Sequence, residues 1–132
     1  MSWEEVKILD KLHVVGCHTK THHRLHSSTS NSQMKKEIIE SKDDLEKQLG
    51  HSMDIFCWVG GEESSYSSQA GRYIRQAGYK YSFMTNCSPI TKNTNQMQLQ
   101  RNNAETDTPL NVIKLCVSGV MDWIYTAKRN RV

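Results

Sequence analysis

Residues 55–84, with the sequence IFCWVGGEESSYSSQAGRYIRQAGYKYSFM, contain the pattern that decides the fold class. Residues 55–59 are a β-branched and aromatic run, which predicts a strand that ends at Gly60-Gly61. Residues 70–78 place apolar side chains at helical spacing before a closing glycine, so they predict a helix. Residues 79–84 then predict another strand. A strand, a helix and a second strand in succession indicate parallel pairing.

Two helices and one strand are predicted before residue 55. A capping box formed by Ser2 and Glu5 predicts a short helix over about residues 3–11. Residues 13–17 form a brief β-branched run that predicts a strand. Residues 30–49 carry apolar side chains at helical spacing and are followed by a glycine, so a second helix is expected there.

The C-terminal third is polar at first and then strongly periodic. Residues 97–99 predict a short strand within an irregular segment. Pro109 is expected at the first position of a last helix, where its missing N–H is not needed. The apolar stripe of this helix is expected to include Leu110, Ile113, Val117, Val120, Met121 and Ile124.

The predicted fold class is therefore α/β, with parallel strands and amphipathic helices. In such sheets the loops that follow the carboxyl ends of the strands carry the chemistry. The histidine-rich segment 18–29 and the loop at Gly60-Gly61 both follow predicted strands. We therefore expect the two loops to open on the same face of the sheet.

Composition and charge exclude several classes of function. The 132 residues are sufficient for one domain, and the net charge of +3 is too small to imply a nucleic-acid partner. No apolar run approaches the roughly 18 residues that a membrane span needs, so no membrane span is expected. The N-terminus lacks the regions of a signal peptide. The chain as given is expected in the cytoplasm, or outside it if the N-terminus is truncated.

Histidines are concentrated near the N-terminus, since five of the six lie between residues 13 and 26. On an extended backbone His18 and His22 would lie about 13 Å apart and could not share one ion. In a helical turn, residues i and i+4 come together, and both imidazoles could bind a metal ion. Cys17 and His26 are local candidates for a third ligand. The alternative, histidines that are merely solvated in a loop, stays open from the spacing alone.

Residues 15–25, with the sequence VGCHTKTHHRL, resemble the second motif of the polysaccharide deacetylases, the NodB-homology esterases similar to carbohydrate esterase family 4. The usual pattern of this motif is Gly-x-His-Thr/Ser-x-Thr-His-Pro-x-Leu. The resemblance implies that His18 and His22 are metal ligands for Zn²⁺ or another divalent metal. His23 departs from the pattern because the family has a proline at that place.

Residues 56–61, with the sequence FCWVGG, are similar to the third motif of the same family, often Phe-Ala-Tyr-Pro-x-Gly. The resemblance implies that this segment walls the substrate groove, so Trp58, Gly60 and Gly61 are predicted substrate-binding residues. Val59 stands where the family has its proline. Packing of Trp58 in the core at the end of a strand is the alternative, and the sequence does not decide between the two.

The resemblance implies a partial distorted (β/α) barrel of the NodB-homology type and metal-dependent hydrolysis of N-acetyl groups on a polysaccharide. The aspartate pair of the family's first motif is not found before His18, and no histidine follows His51. The catalytic base and acid are therefore unknown, with Glu62 and Glu63 the only suggestion for a base. Residues 1–132 are expected to be a single, incomplete deacetylase-like domain. It would correspond to the C-terminal part of such an enzyme, and its open sheet edge invites self-association.

Two other classes of function remain open from the sequence. A non-catalytic module could bind carbohydrate or metal on the same face without turnover. A structural or regulatory subunit would have affinity for neither.

Overall fold

A capping box begins the first helix, α1, which spans Trp3–Leu12 in the computed structural model of the chain. The Glu5 N–H donates to Ser2 Oγ (3.3 Å), and the Ser2 N–H donates to the Glu5 carboxylate (2.6 Å). The two bonds satisfy N–H groups that the helix itself leaves unpaired, and they confirm the predicted helix. The structure describes residues 1–60, 63–86 and 88–125.

The second helix, α2 (residues 31–49), is continuous but changes its winding. It consists of an α-helical start at Asn31–Met34, a π-helical segment at Lys35–Glu40 and an α-helical part at Ser41–Leu49. The Gln33 N–H donates to Ser30 Oγ (3.2 Å) at the start. Gly50 follows the end in the left-handed conformation (φ 79°), which glycine adopts without steric cost. The predicted helix is confirmed.

Within the described residues, three parallel strands form a sheet in the order β1-β2-β3. They span Ile55–Cys57 (β1), Tyr81–Met84 (β2) and Leu99–Gln100 (β3). Helix α3, Ser68–Gln76, connects β1 to β2. The α/β class with parallel pairing is therefore confirmed.

The strand predicted over residues 13–17 is reduced to one residue. Cys17 pairs with Phe56 in parallel on the side of β1 opposite to β2, through two backbone hydrogen bonds of 2.9 and 2.7 Å to Ile55 and Cys57. A Cβ added at Gly16 would lie 2.9 Å from a side-chain carbon of Ile55, so the glycine permits this close approach. Val14 is 80 % exposed. The prediction of a strand is wrong before Cys17 because the chain meets β1 at that residue alone.

One apolar core lies between the sheet and helices α2 and α3. Its buried members are Cys17, Leu25, Met34, Ile38, Met53, Phe56, Trp58, Tyr66, Ala70, Ile74, Tyr79 and Met84. Half of them come from α2, α3 and the strands, and the other half lie in the segments between the helices and strands. None of the described helices is both long enough and apolar enough to cross a membrane.

The predicted last helix is shorter than expected. Helix α4 spans Leu110–Val117, and a separate 3₁₀ turn follows at Asp122–Tyr125. Gly119 lies between them in the left-handed conformation (φ 79°), which interrupts the helix. The prediction of one helix through Ile124 is therefore wrong. No residue of α4 is buried.

Candidate metal and substrate site

The carboxyl ends of the parallel strands lie at one edge of the sheet and bring two loops together. His18 follows the residue that pairs with β1, and Gly60 follows β1 itself. His18 Nδ1 lies 2.9 Å from the carbonyl oxygen of Cys57, the last residue of β1. This contact places the start of the histidine loop at the carboxyl end of β1.

His18 and His22, the two predicted metal ligands, lie next to each other. Their ring centroids are 5.0 Å apart and the rings meet edge to face, with an interplanar angle of 67°. A carbonyl oxygen can only accept a hydrogen bond, so His18 Nδ1 carries the proton. The lone pair of His18 is therefore on Nε2, the arrangement found in metal-ligating histidines whose other nitrogen donates to a carbonyl.

The segment from His18 to His22 contains two residues with a strained backbone conformation. Thr19 and His22 have φ values of 64° and 60°, and they are the only non-glycine residues with positive φ among those described. A β-branched residue such as Thr19 is a clear outlier in this region. Strain of this kind costs about 1–3 kcal/mol per residue and persists only where the surroundings impose it.

Glu37, a buried carboxylate of α2, accepts the hydrogen bonds that hold this strained segment in place. Its Oε2 accepts the backbone N–H groups of Lys20 and Thr21, both at 2.8 Å. Its Oε1 accepts the Thr21 hydroxyl (2.6 Å) and the Gln33 amide (2.8 Å). Burial by itself would raise the pKa of Glu37, but the hydrogen bonds from Thr21 and Lys20 hold this pKa below its ordinary value.

The side chain of Lys20 reaches the outer surface of α2. Its ammonium lies 2.9 Å from Asp44 and 3.4 Å from Glu40. The hydrogen bond to Asp44 is the main cause of the raised pKa of Lys20. Both partners are about half exposed, so these ion pairs contribute little to stability.

The described side chains at this site can be compared with what a metal ion requires. Among the described residues, no group of three His, Cys, Asp or Glu side chains is arranged to hold an ion. Cys17 Sγ is buried and lies 3.0 Å from Ser41 Oγ, and His26 Nδ1 lies 2.6 Å from the Ser64 carbonyl. The two local candidates for a third ligand are therefore engaged elsewhere. His18 and His22 fit two positions of a divalent ion, since imidazole is a preferred ligand of Zn²⁺.

Trp58 lies in the core at the end of β1. Its side chain is 0 % exposed, and Nε1 donates to Ser82 Oγ on β2 (2.6 Å). The indole meets the rings of Phe56 and Tyr66 edge to face, with centroids 5.9 and 5.4 Å away. The structure thus shows Trp58 packed in the core, and a direct role in substrate binding stays a prediction.

Gly60 begins the loop after β1 and is tied to the end of β2. It has φ 82°, and its carbonyl oxygen accepts the Thr85 hydroxyl (3.1 Å). The Thr85 N–H donates to the hydroxyl of Tyr66 (3.1 Å), which fixes the same corner. Gly61, the third predicted substrate-binding residue, lies outside the described residues, as do Glu62 and the side chain of Glu63.

A cavity beside His18 adds residues that the motifs did not indicate. It is lined by Trp3, Gly16, His18, Thr19, Lys20, Ser41, Asp44 and Leu45. Trp3 on α1 is 41 % exposed and is the aromatic side chain in this lining. The lining therefore combines an aromatic side chain with polar groups beside His18.

Sequence reasoning missed Glu37, although a signal for it was present. Glu37 lies within the apolar stripe of α2, between Met34 and Ile38. A carboxylate in a buried stripe is rare unless it is paired or hydrogen-bonded. Its position therefore indicated a buried partner, but the partner itself lies 16 residues away in sequence, at Thr21.

The chain matches a known family. Residues 2–82 match the family described as "Polysaccharide deacetylase", and this range covers more than half of the 132 residues. It includes the histidine loop, helix α2 and the end of β1. No curated protein matches the chain.

Solved structures with the same fold are also deacetylases. A polysaccharide deacetylase from Bacillus cereus superposes with a TM-score of 0.70 at 20 % identity, covering 89 % of this chain and 36 % of that one. The Streptococcus pyogenes deacetylase PplD, in complex with acetate, gives 0.71 at 21 % identity, covering 86 % and 50 %. A de-N-acetylase from Aggregatibacter actinomycetemcomitans gives 0.68 at 18 % identity, covering 88 % and 53 %. The chain thus spans about a third to a half of these proteins, and the likeness confirms the NodB-type fold.

Proposed function

The chain belongs to the polysaccharide deacetylase family, and from this premise we propose that its histidine loop is part of a metal-dependent site that removes acetyl groups from an N-acetylated polysaccharide. The observation that carries the proposal is the proximity of His18 and His22, whose ring centroids are 5.0 Å apart. His18 Nδ1 is hydrogen-bonded to the Cys57 carbonyl oxygen. This hydrogen bond leaves Nε2 of His18 as the nitrogen that is available to an ion.

The chemistry proposed is hydrolysis of an acetamide, in which water adds to the carbonyl carbon, the C–N bond breaks, and acetate and a free amine form. A divalent ion at this site would acidify a water molecule and polarise the acetamide carbonyl. The role of His18 and His22 is to hold that ion beside the loop after β1. The acetate bound to the related PplD structure is the product expected of such a reaction.

Metal binding by the two histidines is the first test. Titration of the protein with Co²⁺ and Zn²⁺ is expected to show one saturable site whose affinity falls at least tenfold in His18→Ala and in His22→Ala. His23→Gln is the matched control, because His23 lies in the same loop but contacts Thr29 Oγ1 at 3.5 Å. Equal affinity in the wild-type protein and both alanine variants would disprove the assignment.

Acetate release is the second test, since metal binding alone does not make a deacetylase. The protein is incubated with N-acetylated chitooligosaccharides and with peptidoglycan fragments, with and without Zn²⁺ or Co²⁺. The proposal expects acetate release that requires metal and disappears in His18→Ala. Release that is unchanged in His18→Ala would mean that the activity comes from elsewhere.

A non-catalytic module is the second candidate, and one observation favours it. The cavity beside His18 is lined by the aromatic Trp3 together with polar side chains. In this case the cavity beside His18 would bind sugar without turnover, with Trp3 as the aromatic contact. Saturable sugar binding that is weakened in Trp3→Ala, with no acetate at any metal concentration, would support this candidate over the deacetylase.

Self-association through the sheet edge also belongs to the proposal. At one edge of the sheet only Cys17 pairs with β1, and Val14, three residues before it, is 80 % exposed. Unpaired edges of parallel sheets invite association with a second chain. Analytical ultracentrifugation is expected to show a concentration-dependent dimer that Val14→Lys weakens, and a monomer at all concentrations would contradict it.

A further inference from the structure

We propose that Glu37 is a positioning residue, which holds the turn between His18 and His22 in the conformation that brings the two imidazoles together. This inference rests on the proposed metal site, since the turn held by Glu37 brings the two histidines of that site together. Glu37 lies on α2, in the π-helical segment Lys35–Glu40, and it is 0 % exposed. Its carboxylate points to the histidine loop and away from solvent.

The turn has a strained backbone conformation at each end, and hydrogen bonds hold the two residues between those ends. Thr19 and His22 have positive φ values of 64° and 60°. The two residues between them, Lys20 and Thr21, donate their backbone N–H groups to Glu37 Oε2 at 2.8 Å each. A strained backbone persists only where its surroundings impose it. The two hydrogen bonds to Glu37 Oε2 are the described contacts that hold the peptide units of this turn.

The second carboxylate oxygen fixes the same turn through a side chain. Glu37 Oε1 accepts the Thr21 hydroxyl at 2.6 Å and the Gln33 amide at 2.8 Å. All four groups that face the carboxylate are donors, so a deprotonated Glu satisfies them without a competing donor of its own. An amide in the same place would present an NH₂ group to at least one of these donors. The site therefore requires the carboxylate as well as the shape of the side chain.

The helix offers a control that separates positioning from stability. Glu46, also on α2, accepts the Met53 N–H (2.8 Å) and bonds to Lys42, so it anchors a different loop. Glu46→Gln is expected to lower stability without affecting the histidines. Glu40→Gln is the control for charge, because Glu40 meets Lys20 only at its ammonium (3.4 Å).

The experiment compares Glu37→Gln and Thr21→Val with these two controls, with and without metal. Without metal, amide hydrogen exchange by NMR is expected to show protection of Lys20 and Thr21 that Glu37→Gln reduces selectively. With Co²⁺, Glu37→Gln is expected to change the ligand-field spectrum and to lower affinity about 10–100-fold, as for other groups that orient metal ligands. Thr21→Val, which removes one of the four bonds, is expected to show a smaller loss. Both controls should stay within about twofold of the wild-type affinity.

Each outcome decides the inference. It is overturned if Glu37→Gln keeps wild-type exchange and affinity, or if Glu46→Gln lowers affinity equally, since Glu37 would then act only on stability. If Glu37→Gln does not fold, Thr21→Val decides by its own affinity and exchange. If the wild-type protein binds no metal, the proposed function fails. The inference about Glu37 is then decided by exchange at Lys20 and Thr21 and by the NMR contact between the rings of His18 and His22.

Discussion

Helices α2 and α4 both have apolar stripes in their sequences, yet the structure uses them in opposite ways. In α2, Met34 and Ile38 are 0 % exposed and belong to the core. In α4 no residue is buried, and Leu110 and Val117 are 65 % and 71 % exposed. The comparison shows that helical periodicity specifies a helix, whereas burial depends on the surface that the stripe meets.

The difference also separates the part of the described chain that carries the proposed site from the rest. Helix α2 packs against α3 and supplies Glu37 to the histidine loop. Residues 110–124, whose burial the structure describes, supply no member of the core. Stability and the proposed metal site should therefore depend strongly on α2 and weakly on residues 110–125.

The largest effect is expected for Ile38→Ala in α2. Ile38 is 0 % exposed, so the variant loses buried apolar surface and leaves a cavity. The free energy of unfolding should fall by about 2–5 kcal/mol, measured by urea denaturation. A loss below about 1 kcal/mol would mean that the core relaxes around the cavity, and it would weaken the contrast with α4.

Ser30→Ala tests the start of α2 and should have the next largest effect. The Gln33 N–H donates to Ser30 Oγ (3.2 Å), and the variant leaves this group without its partner. The expected loss is about 1 kcal/mol in the free energy of unfolding, measured in the same way. Ser2→Ala removes the equivalent cap of α1 (3.3 Å). Because α1 buries no residue, its loss should appear as lower helicity with a smaller change in global stability.

Helix α1 is intermediate between α2 and α4. It has no buried residue, but an ion pair joins it to a residue that follows α2. Asp10 Oδ2 lies 2.7 Å from His51 Nε2. The hydrogen bond to Asp10 raises the pKa of His51 above its ordinary value of 6.5. The contribution of this pair to stability is therefore present below about pH 6.5 and is lost as the pH rises through the higher pKa of the folded state.

The pH prediction is checked by urea midpoints between about pH 5.5 and pH 8.5. Asp10→Asn is the matched control, because it keeps the shape of the side chain and removes the charge that favours protonated His51. The wild-type midpoint should fall with rising pH more than that of Asp10→Asn. Equal pH dependence in the two proteins would show that the ion pair does not hold α1 in solution.

The smallest effect is expected for Ile124→Ala, which repeats the chemistry of Ile38→Ala in the exposed region. Ile124 is 46 % exposed and lies in the 3₁₀ turn Asp122–Tyr125. The free energy of unfolding should change by no more than about 0.5 kcal/mol. A loss near that of Ile38→Ala would show that this segment packs on the core in solution and would remove the contrast between the two regions.

Much of the fold and part of the site could be predicted from the sequence. The caps at Ser2 and Ser30 were recognisable because each depends on residues that are close in sequence. The strand predicted over residues 55–59 was recognisable for the same reason, although it ends at Cys57. The pairing of His18 with His22 was available as a spacing of four residues, once the chain was assumed to turn. The motif resemblance indicated the family, and the match over residues 2–82 shows it.

The tertiary structure alone decided how these pieces act on one another. Three features depend on groups that are distant in sequence. They are the hydrogen bond from Thr21 to Glu37, the burial of Trp58 against Ser82 and the exposure of α4. Local patterns determine helices and strands because they reflect bonds within a few residues. Which side chains meet across the core, and which remain exposed, depends on packing in three dimensions, and periodicity contains no information about the partner.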